Sequence, residues 1–232
     1  MISTDRSSSA RRRLGHLAPL TALVGVALVF SGCLSSGYTY LSHTTSSDRT
    51  VVYFKLPSSW TRFSFSADAK AANGALTQTQ VNQIQAGTHW YVSFTSAKHA
   101  KPNLNSNLAA YHPQGLAYVA QLSGTQRDGF SLSSLRSQVL GTDPLSANAT
   151  AFNVLSYREF TLPGGIRGSR LTTDIADRGG VTDTFEQIVE VDAQTNWVFA
   201  VAVGCRASCW APNEGTINQI LNAWNVKELV HG

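Results

Sequence analysis

The run Trp197-Val-Phe-Ala-Val-Ala-Val203 limits the fold more than any other stretch of the chain. Side chains on a strand alternate between two faces, and here both faces are apolar. Such a strand is predicted to lie centrally in a sheet, with material packed on both sides. It belongs to a hairpin in which Thr182–Val191 and Trp197–Gly204 flank Asp192-Ala-Gln-Thr-Asn196. A second hairpin is predicted from Phe152–Leu162 and Ile166–Ile175, which flank Pro163-Gly164-Gly165. Earlier strands are predicted at Thr50–Lys55, Arg62–Ser66, Thr88–Thr95 and Leu116–Leu122, the second with strict alternation.

Three helices complete the pattern. Thr77 caps the first, with Gln80 completing a capping box and Leu76 and Val81 at the staple positions; Gly87 ends it. The second runs from Ser131 to Gly141, with Leu132, Leu135 and Val139 on one face. In the last, Ile217, Ile220, Leu221 and Trp224 fall at i, i+3, i+4 and i+7. The predicted class is α+β: an antiparallel sheet with helices on both faces, an α/β/α sandwich. The 19 residues from Ser96 to Gln114 are polar, contain Pro102 and Pro113, and form a long loop.

The N-terminus has a different character. Arg6, Arg11, Arg12, Arg13 and His16 form a basic segment, Leu14–Phe30 is mostly apolar, and Ser31-Gly32-Cys33 follows. A basic head, an apolar middle and small residues before a cut describe an export signal. The apolar run is 17 residues, short of the roughly 20 that a helix needs to span a bilayer. An uncleaved transmembrane anchor would also not require a small pair directly before a cysteine. The segment resembles a bacterial lipoprotein signal, with Phe30 where the motif usually carries Leu. That resemblance implies that Cys33 is acylated and becomes the first residue of the mature protein, held at the outer face of the cell membrane. The arginine run also weakly resembles a twin-arginine signal, so the export route stays open. Residues 1–32 are then the signal peptide, 33–49 a flexible Ser/Thr-rich tether and 50–232 a single folded domain.

Removing residues 1–32 changes what the charge says. The full chain carries 18 Lys and Arg against 14 Asp and Glu. The signal takes away four arginines and one aspartate, so the mature chain is near +1. The basic balance belongs to the signal and gives no support to a nucleic-acid partner.

Two cysteines remain, Cys205 and Cys209. An even pair in an exported protein reads as a disulfide. Extended backbone would separate their α-carbons by about 13 Å, against the roughly 7 Å a disulfide tolerates. The bond therefore requires a turn at Arg206-Ala207-Ser208. The alternative, a CxxxC metal or redox site, lacks a flanking histidine and has one residue too many for the common redox motif.

Four stretches carry a resemblance to a known fold. They are Phe54-Lys-Leu-Pro-Ser-Ser-Trp60, Gly168-Ser-Arg170, Phe185–Asp192 with Asn196–Phe199, and Ile217–Val226. Together they resemble the PsbP-like fold, and within it the small actinobacterial lipoproteins of the LpqN type. The resemblance implies the fold over residues 50–230 and a non-catalytic assembly or ligand-binding role.

No nucleophile with a matching base stands out: G-x-S-x-G, S-x-x-K and the phosphate-binding loop are all missing. His89, His99 and His112 are spaced unlike a zinc site and read as surface or loop residues; an envelope hydrolase using them is the alternative. Asp174, Asp177 and Asp183 lack calcium-loop spacing and read as a solvated turn. No metal or cofactor is expected. Five tryptophans read mainly as core, Trp60, Trp90, Trp197, Trp210 and Trp224. Trp210, between Cys209 and Pro212, is the weak candidate for contact with a ligand. The expected function is a membrane-tethered, non-enzymatic binding or assembly module of the cell envelope. Its partner would be an envelope protein or a small ligand.

Overall fold

The computed structural model describes residues 37–45, 50–71, 87–102, 110–176 and 179–228. Cys33, the signal and the helix predicted from Thr77 lie outside them. Among the described residues no helix is long and apolar enough to cross a membrane.

The chain forms two antiparallel sheets. The large one has seven strands in the order β3-β4-β5-β9-β8-β7-β6. These are β3 (Thr61–Ser64), β4 (Thr88–Thr95), β5 (Gln114–Gln121), β6 (Phe152–Thr161), β7 (Arg167–Ala176), β8 (Thr182–Val191) and β9 (Trp197–Arg206). The small sheet has the order β1-β2-β10, with β1 at Tyr38–Thr44, β2 at Thr50–Pro57 and β10 at Asn225–Glu228. Among the described residues four α-helices accompany them: α1 (Phe65–Ala71), α2 (Gly124–Asp128), α3 (Leu132–Ser137) and α4 (Ala207–Leu221).

β9 is the central strand that its sequence demands, hydrogen-bonded to β5 on one side and β8 on the other. Trp197, Phe199, Val201 and Val203 join one core cluster, which includes Ile217, Ile220 and Leu221 of α4 and Val52, Phe54 and Leu56 of β2. Val198 and Ala200 join the other, with Val189 and Val191 of β8 and Leu135 of α3. Phe199 is fully buried; a side chain of that size contributes about 1.5–3 kcal/mol through burial. Both predicted hairpins form: β6 pairs with β7 across Pro163-Gly164-Gly165, and β8 with β9 across residues 192–196. The two glycines of the first turn have φ of +82°, which L side chains rarely adopt.

The expected antiparallel sheet with helices forms, and over its Phe199 face β1, β2 and β10 pack beside α4. Three expectations are corrected. The segment 33–49, read as a flexible tether, contains β1, which pairs with β2 from Tyr38↔Pro57 to Thr44↔Val51. Its alternation is weak because Leu41 is its one aliphatic inward residue, lying against the core between Thr39 and His43, while outward Tyr40 is 71% exposed. The folded domain thus starts before residue 50. The helix predicted to Gly141 ends at Ser137, after a Ser131 cap whose side chain accepts from the Ser134 amide. The last helix begins at Ala207, ten residues before its apolar stripe, and Pro212 lies inside it.

Candidate functional site

The seven-stranded sheet changes character across its α4 face. At β9 the face is wholly apolar, as the helix requires. One strand outward, β8 presents Glu186, Ile188 and Glu190. In register with them, β7 presents Thr172, Arg170 and Gly168, and β6 presents Ser156, Arg158 and Phe160. α4 covers β8 and β9, so the charged shoulder on β6 and β7 is left as an open groove.

Two hollows make up this groove, of about 440 and 260 Å³, and both are lined by Arg158 and Arg170. Trp210, Glu214 and Asn218 of α4 form the wall of the larger, at i, i+4 and i+8 on one helix face. Asn222 and Trp224 continue that wall into the smaller one, beside Glu190. A hollow of about 820 Å³ lies elsewhere, on β4 and β5, between Tyr91, Leu116, Tyr118 and Val139. No charged side chain lines it among the described residues, and Gly87 at its edge adjoins residues outside the description.

Arg170 organises the groove. It stands directly opposite Arg158, a pairing of like charges that is unfavourable unless each has its own partner. Arg170 donates through Nε to Glu186 Oε1, and through its terminal nitrogens to Asn222 Oδ1 at 2.7 Å and Asn218 Oδ1 at 3.2 Å. One guanidinium thus ties sheet to helix. Arg158 lies with its guanidinium carbon 5.4 Å from the Phe160 ring centroid. It has neither an ion pair nor a hydrogen bond among the described residues, and it is exposed.

Glu190 is the least expected member. It is 3% exposed, and its Oε2 accepts from Trp224 Nε1 at 2.9 Å. Gly168 opposite leaves room for it: a Cβ there would lie 2.9 Å from Glu190 Cγ and 2.5 Å from the Phe160 ring. Burial pushes the Glu190 carboxyl up from 4.5 to about 7, against the opposing pull of the Trp224 hydrogen bond. Below about pH 4.5 this acid holds its proton folded or unfolded. Between about 4.5 and about 7 the unfolded chain releases the proton and the folded one keeps it. Stability therefore falls as pH rises through that window, by a full step on the order of 3 kcal/mol, and is flat above it. Glu190→Gln keeps an acceptor for Trp224 and removes the step. Urea midpoints at pH 5 and pH 8 are expected to differ less in the variant, and the variant to be the more stable at pH 8. An unchanged pH dependence would show that Glu190 does not titrate in this range.

Trp210 owes its place to the disulfide. Cys205 ends β9 and Cys209 lies in the first turns of α4, with α-carbons 5.9 Å apart. The turn required at residues 206–208 is thus the start of the helix itself. Closing so short a loop is worth about 2 kcal/mol. Trp210 packs half-buried against the main core cluster and lines the groove with the rest of its surface. Trp60, Trp197 and Trp224 are buried, and Trp90 packs on the core while stacking on His43 at 5.6 Å.

The histidines are not gathered. His89 lies at the start of β4, its ring 4.6 Å from that of Trp197. His99 lies four residues past the far end of the same strand, which spans about 23 Å. His112 is exposed near that far end, just before β5. Asp174 accepts from Thr184 Oγ1 at 2.7 Å, Asp183 is buried, and Asp177 lies outside the described residues. No three metal-ligating side chains come together among the described residues.

No protein-family model and no curated protein matches this chain. Similar solved structures do exist. One is LpqN of Mycobacterium tuberculosis, described as involved in cell envelope biogenesis; it is 12% identical, with 82% of this chain and 91% of that one covered, at a TM-score of 0.44. Another is the cyanobacterial PsbP of Synechocystis, 10% identical over 86% of this chain and 99% of the other, at 0.45. The yeast Ran-binding protein Mog1p is 7% identical over 81% and 95%, at 0.40. The PsbP-like and LpqN resemblances read in the sequence return in this comparison. They are likenesses of fold, and no residue role comes with them.

Proposed function

We propose that this chain is an exported lipoprotein, anchored through Cys33 to the outer face of the cell membrane, and that it binds a small ligand or a segment of an envelope protein without transforming it. The groove beneath α4 is the binding site. The observation that carries this reading is the groove's composition: an unpaired arginine, Arg158, faces a half-buried Trp210 and the carboxylates Glu186 and Glu214 across an open hollow. A few convergent polar groups with an aromatic wall are what a ligand site uses for orientation. The lipoprotein signal supports the location, and a disulfide fits an oxidising compartment.

The envelope-hydrolase alternative needs a histidine beside a nucleophile.

A photo-crosslinking residue tests the proposal in the native membrane. Leu155, 53% exposed, lines the groove; Leu145, 47% exposed, lines neither hollow. Crosslinks to an envelope component are expected at position 155 and not at 145, and Arg158→Glu is expected to reduce them at least tenfold. Equal yields at both positions, or yields indifferent to Arg158, would remove the groove as the site. Substrate turnover lost on changing one of the three histidines to alanine would instead favour the hydrolase.

A further inference from the structure

One face of the small sheet packs in the core; the other, among the described residues, is exposed along β1, at Tyr53 and on β10, while Val51 of β2 on that same side is only 4% exposed. Leu41, Val52, Phe54, Leu56 and Val226 point inward. The strand period then places Tyr38, Tyr40 and Ser42 of β1, Tyr53 and Lys55 of β2, and Asn225 and Lys227 of β10 on the outer side. Tyr40 is 71% and Tyr53 43% exposed. Between them, Lys55 and Ala223 border a shallow hollow of about 360 Å³. Lys55 Nζ lies 4.5 Å from the Tyr38 ring centroid, and the Tyr38 hydroxyl donates to Gln219 Oε1. Glu228 is the only acid on the three strands. It falls on the opposite parity, and its carboxyl packs at Gly164. The outer face therefore offers tyrosines and two lysines and no carboxylate.

Its position in the chain gives this face a partner. Cys33 precedes Tyr38 by five residues. Even fully extended, that length reaches only about 18 Å. A domain held by so short a leash keeps the Tyr38 end of β1 near the headgroups. Tyrosine is favoured at that depth because its ring has an apolar body and a polar tip. Lysines near the surface are drawn to anionic lipid.

We propose that the outer face of the β1–β2–β10 sheet is a membrane-contact surface, seated on anionic lipid headgroups through Tyr40, Tyr53, Lys55 and Lys227. This rests on the acylation of Cys33 proposed above. It makes the anchored domain an oriented one, with one fixed side toward the bilayer.

The test uses the acylated full chain, added from outside to vesicles of equal parts phosphatidylglycerol and phosphatidylcholine. Peroxidase-catalysed iodination, mapped by peptide mass, reads the reactivity of each tyrosine. Tyr111, 69% exposed and on none of these strands, is the internal reference. Relative to Tyr111, labelling of Tyr40 and Tyr53 is expected to fall at least fivefold from detergent micelles to these vesicles. Pure phosphatidylcholine is expected to protect less. Each lysine near an anionic surface is worth about a fivefold factor, so Lys55→Glu with Lys227→Glu is expected to restore labelling. Lys227→Glu alone touches none of the aromatic contacts and is expected to restore part of it, which separates the effect from misfolding. Tyr40 and Tyr53 staying as reactive as Tyr111 on an acylated, membrane-bound sample would overturn this proposal and leave the lipid anchor standing. An unacylated intact mass would overturn both.

Discussion

Replacing Cys33 with alanine is expected to abolish incorporation of labelled palmitate and to leave residues 1–32 attached. The reason is chemical. A lipoprotein-type signal is cut only after its cysteine sulfur carries a diacylglycerol, and alanine offers no sulfur to the transferase. The precursor's apolar run is 17 residues long, so it can still hold the uncut chain at a membrane, and sedimentation alone does not decide the matter. Intact mass and N-terminal sequence do. A cleaner contrast comes from giving residues 34–232 an ordinary secretory signal. That chain is expected in the soluble fraction, a change of several orders of magnitude in membrane partition. One acyl chain alone binds bilayers only marginally, at about 10⁴ M⁻¹, and each buried methylene adds about 0.8 kcal/mol, so a doubly acylated cysteine holds firmly. Palmitate label on the alanine variant, or an N-terminus at residue 33 in it, would end the lipoprotein reading.

The legible parts of this molecule are those where one side of an element is strongly apolar. β9 announces its central position because Trp197 to Val203 leaves no polar face. The first hairpin follows from Gly164 and Gly165, which adopt positive φ, and the second from the polar run Asp192–Asn196 between two apolar ones. β1 was hidden for the opposite reason. It is an edge strand with a single clearly inward residue, Leu41, and its tyrosines and threonines also suit a loop. The N-terminal half of α4 was hidden because Pro212 and the disulfide suggest a break, whereas the helix starts at Ala207 inside the Cys205–Cys209 loop and runs through the proline. The candidate site was legible at Trp210 alone. Arg170, Glu186 and Glu190 are separated in sequence by up to 20 residues and meet only through the β7–β8 register. The one local sign was Gly168-Ser-Arg170, where the glycine clears space for Glu190 across the sheet.

That register makes Arg170 the residue whose loss costs the fold most at the groove. Arg170→Ala is expected to lower unfolding stability by about 3–5 kcal/mol, because it leaves a buried charge without its partner. Glu186 keeps only 6% of its side-chain surface in water, and its oxygen is held by Arg170 Nε. Asn218 and Asn222 lose their donor in the same step, and α4 loses its polar tie to the sheet. The size of the effect reflects desolvation, not the attraction of the pair. Removing both charges is therefore expected to recover most of the loss: Arg170→Leu with Glu186→Leu should lie within about 1–2 kcal/mol of the native protein, since apolar replacement of a buried pair is often near neutral. Arg170→Lys is expected to fall between, as an ammonium cannot present the planar fork that reaches Glu186 and both asparagines together. Urea unfolding of the four proteins measures the coupling directly. If the single and double variants are equally destabilised, the pair is not coupled, and the groove's floor is held by packing instead of by this charge network.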